Sequence, residues 1–341
     1  IASVYYYHSV CVVADAAKLL NKREDCIFYR ELKEKIKAAV FREYFTPSGR
    51  LAVDTQTAII TALRFDIYID RDKLTGQLKE RLRRDSHRIK GGFVGAPVIC
   101  SVLASKGFAK RAYDFLFSEE YPSWLYCVNL GATTIWERWN SLLPDGKISG
   151  TGMNSLNHYA YGSVAEFLFA YSAGLRPAEP GYSKAVIAPK PDIRLGFVSF
   201  EYKSPNGRYF CGWRIHDDGM LTVDAEIPFG CTAELHLPGR SGKSEVLKSG
   251  RYRYVYMPEI DYRRLYDENT PLDVISRDSR AMKILFEKVP AFGNIAAGED
   301  REKCSITLGQ LSKMHFIPHD PKALDEAIAK IYGLIYEEQH S

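Results

Sequence analysis

The feature that most constrains this chain is a change in the spacing of its apolar residues near position 178. Before it, apolar positions recur every three or four residues, as in Val12, Ala16, Leu19 and Leu20 of segment 2–20 and Ile27, Leu32, Ile36, Val40 and Phe41 of segment 24–45. That is the period of an amphipathic helix. Further helices are expected from Asp54 or Thr55, as N-cap, through Leu63, then near 70–88, 95–105, 107–118 and 155–172. Asn21-Lys22, Pro47-Ser48-Gly49, Gly91-Gly92, Lys106-Gly107 and Tyr121-Pro122 punctuate them. Arg176-Pro177-Ala178-Glu179-Pro180-Gly181 then breaks the pattern, and residues 182–257 alternate with a period of two around Ser204-Pro205-Asn206-Gly207 and Asp217-Asp218-Gly219 turns. Helical signals return from about 265, with Thr270-Pro271-Leu272-Asp273 and Asp320-Pro321 as starts.

A segment of one period cannot be threaded into a layer of the other, so the chain divides. Three regions are expected: a helical part over 1–177, a small antiparallel β-sandwich over 178–262 and a helical appendage over 263–341. A length of 341 residues suits two or three domains. Consecutive helix pairs on short loops imply α/α layers, and the lack of a fixed-period repeat favours a toroid over a solenoid.

Charge and cysteine usage narrow the function. The net charge of +4 is dispersed, with no basic tract of the kind that binds nucleic acid. The seven cysteines, Cys11, Cys26, Cys100, Cys127, Cys211, Cys231 and Cys304, are scattered and odd in number, which fits a reducing, cytoplasmic compartment better than a disulfide framework. No His/Cys/Asp cluster has ligand spacing, no apolar run is long enough for a membrane span, and no metal or cofactor is expected.

The chemistry concentrates in Gly131-Ala-Thr-Thr-Ile-Trp-Glu-Arg-Trp, where Glu137 stands between Trp136 and Trp139. Flat apolar rings beside a carboxylate suit a carbohydrate site, with rings for sugar C–H faces and an acid to activate water. The plainer alternative is a core tryptophan pair next to a surface Glu137–Arg138 ion pair. His158 follows in Asn157-His158-Tyr159-Ala160-Tyr161-Gly162, at the expected first turn of the 155–172 helix. It is placed either to bond a ligand hydroxyl or to serve as a buried structural histidine.

These motifs, with Leu143-Pro144-Asp145-Gly146, Thr55-Gln56-Thr57-Ala58, Gly92-Phe93-Val94-Gly95 and Glu120-Tyr121-Pro122-Ser123-Trp124, resemble in order and spacing the α-L-rhamnosidases of glycoside hydrolase family 78. The resemblance covers the helical part and the sandwich. It implies an (α/α)6 toroid followed by a β-sandwich, and inverting hydrolysis of terminal α-L-rhamnose from glycosides or polysaccharides. It also implies Glu137 as general base and His158 as a substrate contact, with Trp136 and Trp139 walling the pocket and Trp124 and Phe93 as weaker contributors.

The sequence departs from the family in one respect. The family's acid motif, of Asp-Glu-Arg-x-Gly-Trp type, has no equivalent here; Asp54, Asp66, Asp70 and Glu24-Asp25 lack its flanking residues. About seven helices are readable where a toroid needs twelve, and the chain opens at Ile1 within a helical pattern. The expectation is therefore the later half of a barrel, with the missing N-terminal part of the same enzyme as its partner and little activity alone. Two other readings stay open. One is another toroid enzyme such as a polysaccharide lyase, and the other a non-catalytic carbohydrate-binding half-barrel.

Overall fold

A computed structural model describes residues 1–341 apart from 151, 243, 269, 299–305, 312, 314–317 and 338–341. The described chain forms two compact units, Ile1–Val164 and Ala165–Ser341.

The first unit is built from helix pairs whose burial follows their apolar pattern. Helices α1 (Ala2–Leu19) and α2 (Arg23–Tyr44) pack through Val4, Val10, Ala14 and Ala17 against Cys26, Ile36 and Val40. Asn21, in the left-handed region at φ 56°, turns the chain between them. Helix α3 (Gln56–Arg64) is buried at every position from Ala58 to Leu63, as a helix apolar all round must be, and pairs with α4 (Arg71–Arg84). Helix α4 carries only one buried stripe, Leu74, Thr75, Leu78 and Leu82, so it lies outside. The buried α5 (Ile99–Ser105) pairs in the same way with α6 (Ala109–Leu116). Thr55, Asp70 and Ser123 cap α3, α4 and α7 (Trp124–Asn129) by accepting backbone N–H bonds.

The expected 155–172 helix is not formed. Residues 152–159 run as turns and bends, a 3-10 turn spans Ala160–Val164, one α turn, α8, spans Ala165–Phe167, and a π turn spans Leu168–Ser172. Helix α7 was marked in the sequence only by Tyr121-Pro122 before it.

In the second unit, two four-stranded sheets enclose one core. The first orders β1 (Leu175–Pro177), β2 (Lys184–Ile187), β6 (Thr232–Leu235) and β7 (Glu245–Leu247). The second orders β3 (Phe197–Ser204), β4 (Gly207–Ile215), β5 (Leu221–Ile227) and β8 (Gly250–Tyr256). All pairings are antiparallel except β2 with β6, which is parallel. Alternate residues of β4, Tyr209, Cys211, Trp213 and Ile215, point into the core. The Trp213 indole donates to Ser172 O at 2.8 Å and the Tyr209 hydroxyl to Tyr182 O at 2.6 Å, so their buried polar tips are satisfied. Helices α9 (Leu272–Ile275), α10 (Ser279–Lys288), α11 (Pro290–Ala297), α12 (Leu308–Leu311) and α13 (Pro321–Tyr332) gather around a separate core that includes Leu285, Phe292, Leu324 and Ile331. Asp278 and Asp320 cap α10 and α13. Among the described residues, no helix is long and apolar enough to cross a membrane.

Candidate active site

Loops entering α3, α5 and α7 meet at one end of the helical unit. The hub is Gln56, only 2% exposed, whose amide nitrogen donates to Asp85 Oδ2 at 2.7 Å and to Arg88 O at 2.8 Å. Its amide oxygen accepts from Lys90 N at 2.9 Å. Asp85 also receives Arg81 through two bonds, at 2.9 and 2.6 Å. Burial alone would raise the Asp85 carboxyl, but the hydrogen bonds from Arg81, Gln56 and Lys90 outweigh it and hold its pKa below the ordinary value. Arg88 then reaches Glu120 and the Tyr121 carbonyl, tying in the loop before α7. Gly95 explains why two of the sequence motifs lie together. A Cβ at this position would stand 2.6 Å from Thr57 Oγ1, so only glycine lets the 91–95 loop close onto the start of α3.

The loop bearing Glu137 is pinned from inside. Glu137 N donates to Ser155 O at 2.9 Å and His158 N to Ile135 O at 2.7 Å, which brings the two motif segments side by side. Ser141 is fully buried, and its hydroxyl accepts from Arg138 N at 3.1 Å. Its carbonyl accepts from Ser149 N at 3.0 Å and from the Asn154 amide at 3.3 Å. Pro144-Asp145-Gly146 makes the tip of a small hairpin, with Leu142 bridged to Ile148.

Glu137 is half-buried, and among the described residues its carboxylate has no hydrogen bond or ion pair. The plain alternative, a Glu137–Arg138 ion pair, does not form. Arg138 instead donates through Nη2 to Gly152 O at 3.4 Å, and its buried Nε has no partner among the described residues.

The aromatic residues separate into two groups. Trp124, Trp136 and Trp139 are buried at 8%, 4% and 7% exposure. Trp139 stacks on Tyr161 with centroids 3.9 Å apart, Trp124 meets Trp139 edge-on at 5.2 Å, and the Trp124 indole donates to Tyr161 O at 3.0 Å. Phe93, 42% exposed, instead lies parallel to His158, with centroids 5.1 Å apart and planes 16° inclined. His158 precedes the 3-10 turn rather than starting a helix, and its Nδ1 accepts from Ala160 N at 3.2 Å. In the neutral ring that bond leaves the proton on Nε2, which has no protein partner among the described residues and is free to donate.

The structure thus joins Phe93 to His158 and Trp124 to Trp139, and it places Glu137 and His158 on adjoining, mutually bonded segments. Ser141, Tyr161 and the Gln56–Asp85 hub were not singled out from the sequence. Ser141 gives no signal there, whereas Gln56 and Tyr161 lie inside motifs already noted. Two surface clefts lie elsewhere. One of about 470 Å³ is lined by residues including Arg50, Asp54, Lys73 and Arg84, and one of about 250 Å³ by residues including His236, Arg240 and Glu245. No group of three or more His, Cys, Asp or Glu side chains among the described residues is arranged to hold a metal. The six described cysteines are free thiols, and Cys304 lies outside the described residues.

Comparison with known proteins places this arrangement. Residues 1–172 match the bacterial alpha-L-rhamnosidase 6 hairpin glycosidase domain and residues 174–251 the bacterial alpha-L-rhamnosidase C-terminal domain. An alpha-L-rhamnosidase of Formosa agariphila is 35% identical over 252 residues, covering 73% of this chain and 27% of the relative. One from Streptomyces avermitilis is 33% identical over 240 residues, covering 70% of this chain and 23% of the relative. The chain therefore spans about a quarter of the length of these curated relatives. Among solved structures, the native α-L-rhamnosidase of Aspergillus terreus is similar at TM-score 0.71 and 31% identity, over 74% of this chain and 30% of that one. The Streptomyces avermitilis enzyme complexed with L-rhamnose gives 0.70 and 31%, over 75% of this chain and 26% of that one. With 172 of its 341 residues matched to the six-hairpin domain and the following segment matched to its companion domain, this chain belongs to the bacterial α-L-rhamnosidase family of six-hairpin glycosidases.

Proposed function

We propose that this chain supplies the water-activating half of an inverting α-L-rhamnosidase, acting on terminal rhamnose of rhamnose-containing glycosides or polysaccharides. The observation that carries the proposal is the Glu137 carboxylate. Its residue is held by a backbone bond to Ser155, yet among the described residues it has no charge partner, on a segment bonded to that of His158. A carboxylate tied up by Arg138 would be a poor proton acceptor; an unpaired one is available to take a proton from water.

In this mechanism Glu137 accepts a proton from a water molecule as the water oxygen attacks the anomeric carbon. A carboxylic acid on the opposite face protonates the departing oxygen. For inversion the two groups stand about 6.5–9.5 Å apart, leaving room for the water. His158 Nε2–H donates to a sugar hydroxyl, and the exposed face of Phe93 beside it packs on the ring's C–H surface. Trp124 and Trp139, being buried, act through Tyr161 as the support beneath this surface. Trp136, buried and next to Glu137 in the chain, is given the same supporting role. The acid is contributed from outside the present sequence, by the N-terminal part of the same enzyme, and the chain alone turns over slowly.

The test is an aryl α-L-rhamnoside assay of the chain, alone and with the N-terminal half of a family barrel supplied in trans, with the first product anomer read by proton NMR. Weak activity that rises on complementation and releases β-L-rhamnose supports the proposal. Full activity of the chain alone overturns the external acid, and α-L-rhamnose as first product overturns inversion.

A further inference from the structure

The outward face of the β3-β4-β5-β8 sheet has an organisation that core packing does not require. Its residues alternate with the buried Tyr209, Cys211, Trp213 and Ile215, and cross-strand register arranges them in rows. Phe197, Arg214, Thr222 and Val255 form one row, Ser199, Gly212, Asp224 and Arg253 the next, and Glu201, Phe210, Glu226 and Arg251 the third. At the centre Phe210 leans along its strand over Gly212. A Cβ on Gly212 would lie 3.1 Å from the Phe210 Cζ and 3.2 Å from Cε1, so the missing side chain is what lets the ring lie across the sheet. Phe197, 51% exposed, provides a second ring, with the Arg214 guanidinium 4.5 Å from its centroid.

Polar groups frame both rings. Arg208 donates to Glu201 at 2.9 Å and to Glu226 at 2.9 and 3.0 Å, and so fixes the two carboxylates on either side of Phe210. Arg253 donates to Asp224 at 2.7 and 3.1 Å beside Gly212. Every acid on this face is thus already paired, whereas Arg214 and Lys203 have no acidic partner among the described residues. Five basic groups, Lys203, Arg208, Arg214, Arg251 and Arg253, stand against three acidic ones, Glu201, Asp224 and Glu226, an excess of two positive charges.

We propose that this face is a second carbohydrate-binding surface, distinct from the Glu137 site, that takes a carboxylated polysaccharide of the uronic-acid type. An aromatic ring lying along a sheet offers a flat apolar face to a sugar, and the guanidinium groups around it donate to hydroxyls and pair with uronate carboxylates. The excess positive charge selects an acidic chain over a neutral one. Such a surface would hold polymer near the enzyme without taking part in hydrolysis, so it stands or falls independently of the role given to Glu137.

The experiment is affinity electrophoresis and calorimetry of the 341-residue chain with polygalacturonate, using dextran as the neutral comparison. Expected are retardation by polygalacturonate and not by dextran, weakening as salt rises from 50 to about 500 mM as charge pairing is screened. Phe210→Ala should weaken binding by about tenfold or more, the ~1.4 kcal/mol scale of one ring contact. Arg214→Glu, at an exposed position that does not endanger folding, should abolish it. Glu137→Gln should bind as the unaltered chain does, which separates this surface from the catalytic proposal. Equal retardation by dextran, no retardation by polygalacturonate, or unchanged binding in Arg214→Glu with its fold verified by circular dichroism would overturn the proposal.

Discussion

The peptide N–H of Glu137 donates to the carbonyl oxygen of Ser155 at 2.9 Å, closing the neck of the loop on which the unpaired carboxylate stands. Among the described residues the carboxylate is thus positioned by main chain rather than by a salt bridge, which suits the proton transfer proposed for it. Replacing it by Gln keeps the shape and removes the proposed base. In an enzyme carrying the whole barrel, Glu137→Gln should lower kcat by about 10²–10⁴, with KM little changed. Steady-state kinetics on an aryl rhamnoside reads this directly, and a variant keeping most of its kcat would remove Glu137 from the mechanism.

Ser141 should matter nearly as much without touching substrate. Its buried hydroxyl is the acceptor for Arg138 N, next in chain to Glu137, and its carbonyl gathers Ser149 and Asn154. Ser141→Ala leaves a part-buried N–H unpaired, a loss of about 1 kcal/mol, the low end for an unsatisfied group. The expected readout is a lower urea midpoint in the isolated chain. In the whole enzyme kcat should fall more than KM rises, because the base shifts while the sugar contacts remain. A variant that lost stability but kept kcat would make Ser141 purely structural.

His158 and Phe93 should show the opposite split. The Ala160 N–H bond to Nδ1 leaves Nε2–H as the donor, and Phe93 stacks on the ring to hold its orientation. His158→Ala should reduce kcat/KM by about tenfold, the ~1.4 kcal/mol scale of one hydrogen bond to a neutral group. Phe93→Ala should produce a smaller loss of the same kind. Titration of catalytically inert Glu137→Gln enzyme with L-rhamnose would report both as weaker binding, and unaltered affinity in His158→Ala would argue for a structural ring.

How far the sequence revealed this arrangement depends on the range of the interactions involved. Regular periods marked α1 to α6 to within about four residues, and the strand-rich stretch from 182 to 257, because local spacing encodes which face is buried. The 155–172 segment read as helix from composition and folded as turns, because the Glu137–Ser155 and Ile135–His158 backbone bonds compete for its groups. Strands β1, β2 and β7 are only three or four residues long, too short to show alternation, and the parallel β2–β6 pairing is a long-range fact. Glu137 stood out in the sequence because a carboxylate between tryptophans is unusual. The Gln56–Asp85 bond spans 29 residues and did not, since nothing local distinguishes Asp85 from other helix-terminal acids.

That hub gives a pH-dependent prediction. Asp85 is 4% exposed, and its carboxyl is held below the ordinary value by Arg81, Gln56 and Lys90 against the opposing effect of burial. A depressed folded-state pKa stabilises the fold above the unfolded value of about 3.9, and the contribution disappears as pH falls through that value toward the folded one. Asp85→Asn removes the charge at every pH and leaves the partly exposed Arg81 with only its longer 4.0 Å contact to Asp54. The loss near pH 7 should be about 3 kcal/mol, the lower end for breaking a buried pair. Below pH 4 the unaltered chain loses the same contribution, so the gap between the two urea midpoints should narrow steadily toward pH 3. Glu80, held at about 2 chiefly by its bond from Arg83, titrates in both proteins at still lower pH and cancels in the comparison. A gap unchanged between pH 7 and pH 3 would mean that Asp85 joins the loops at this end of the barrel by shape rather than by charge.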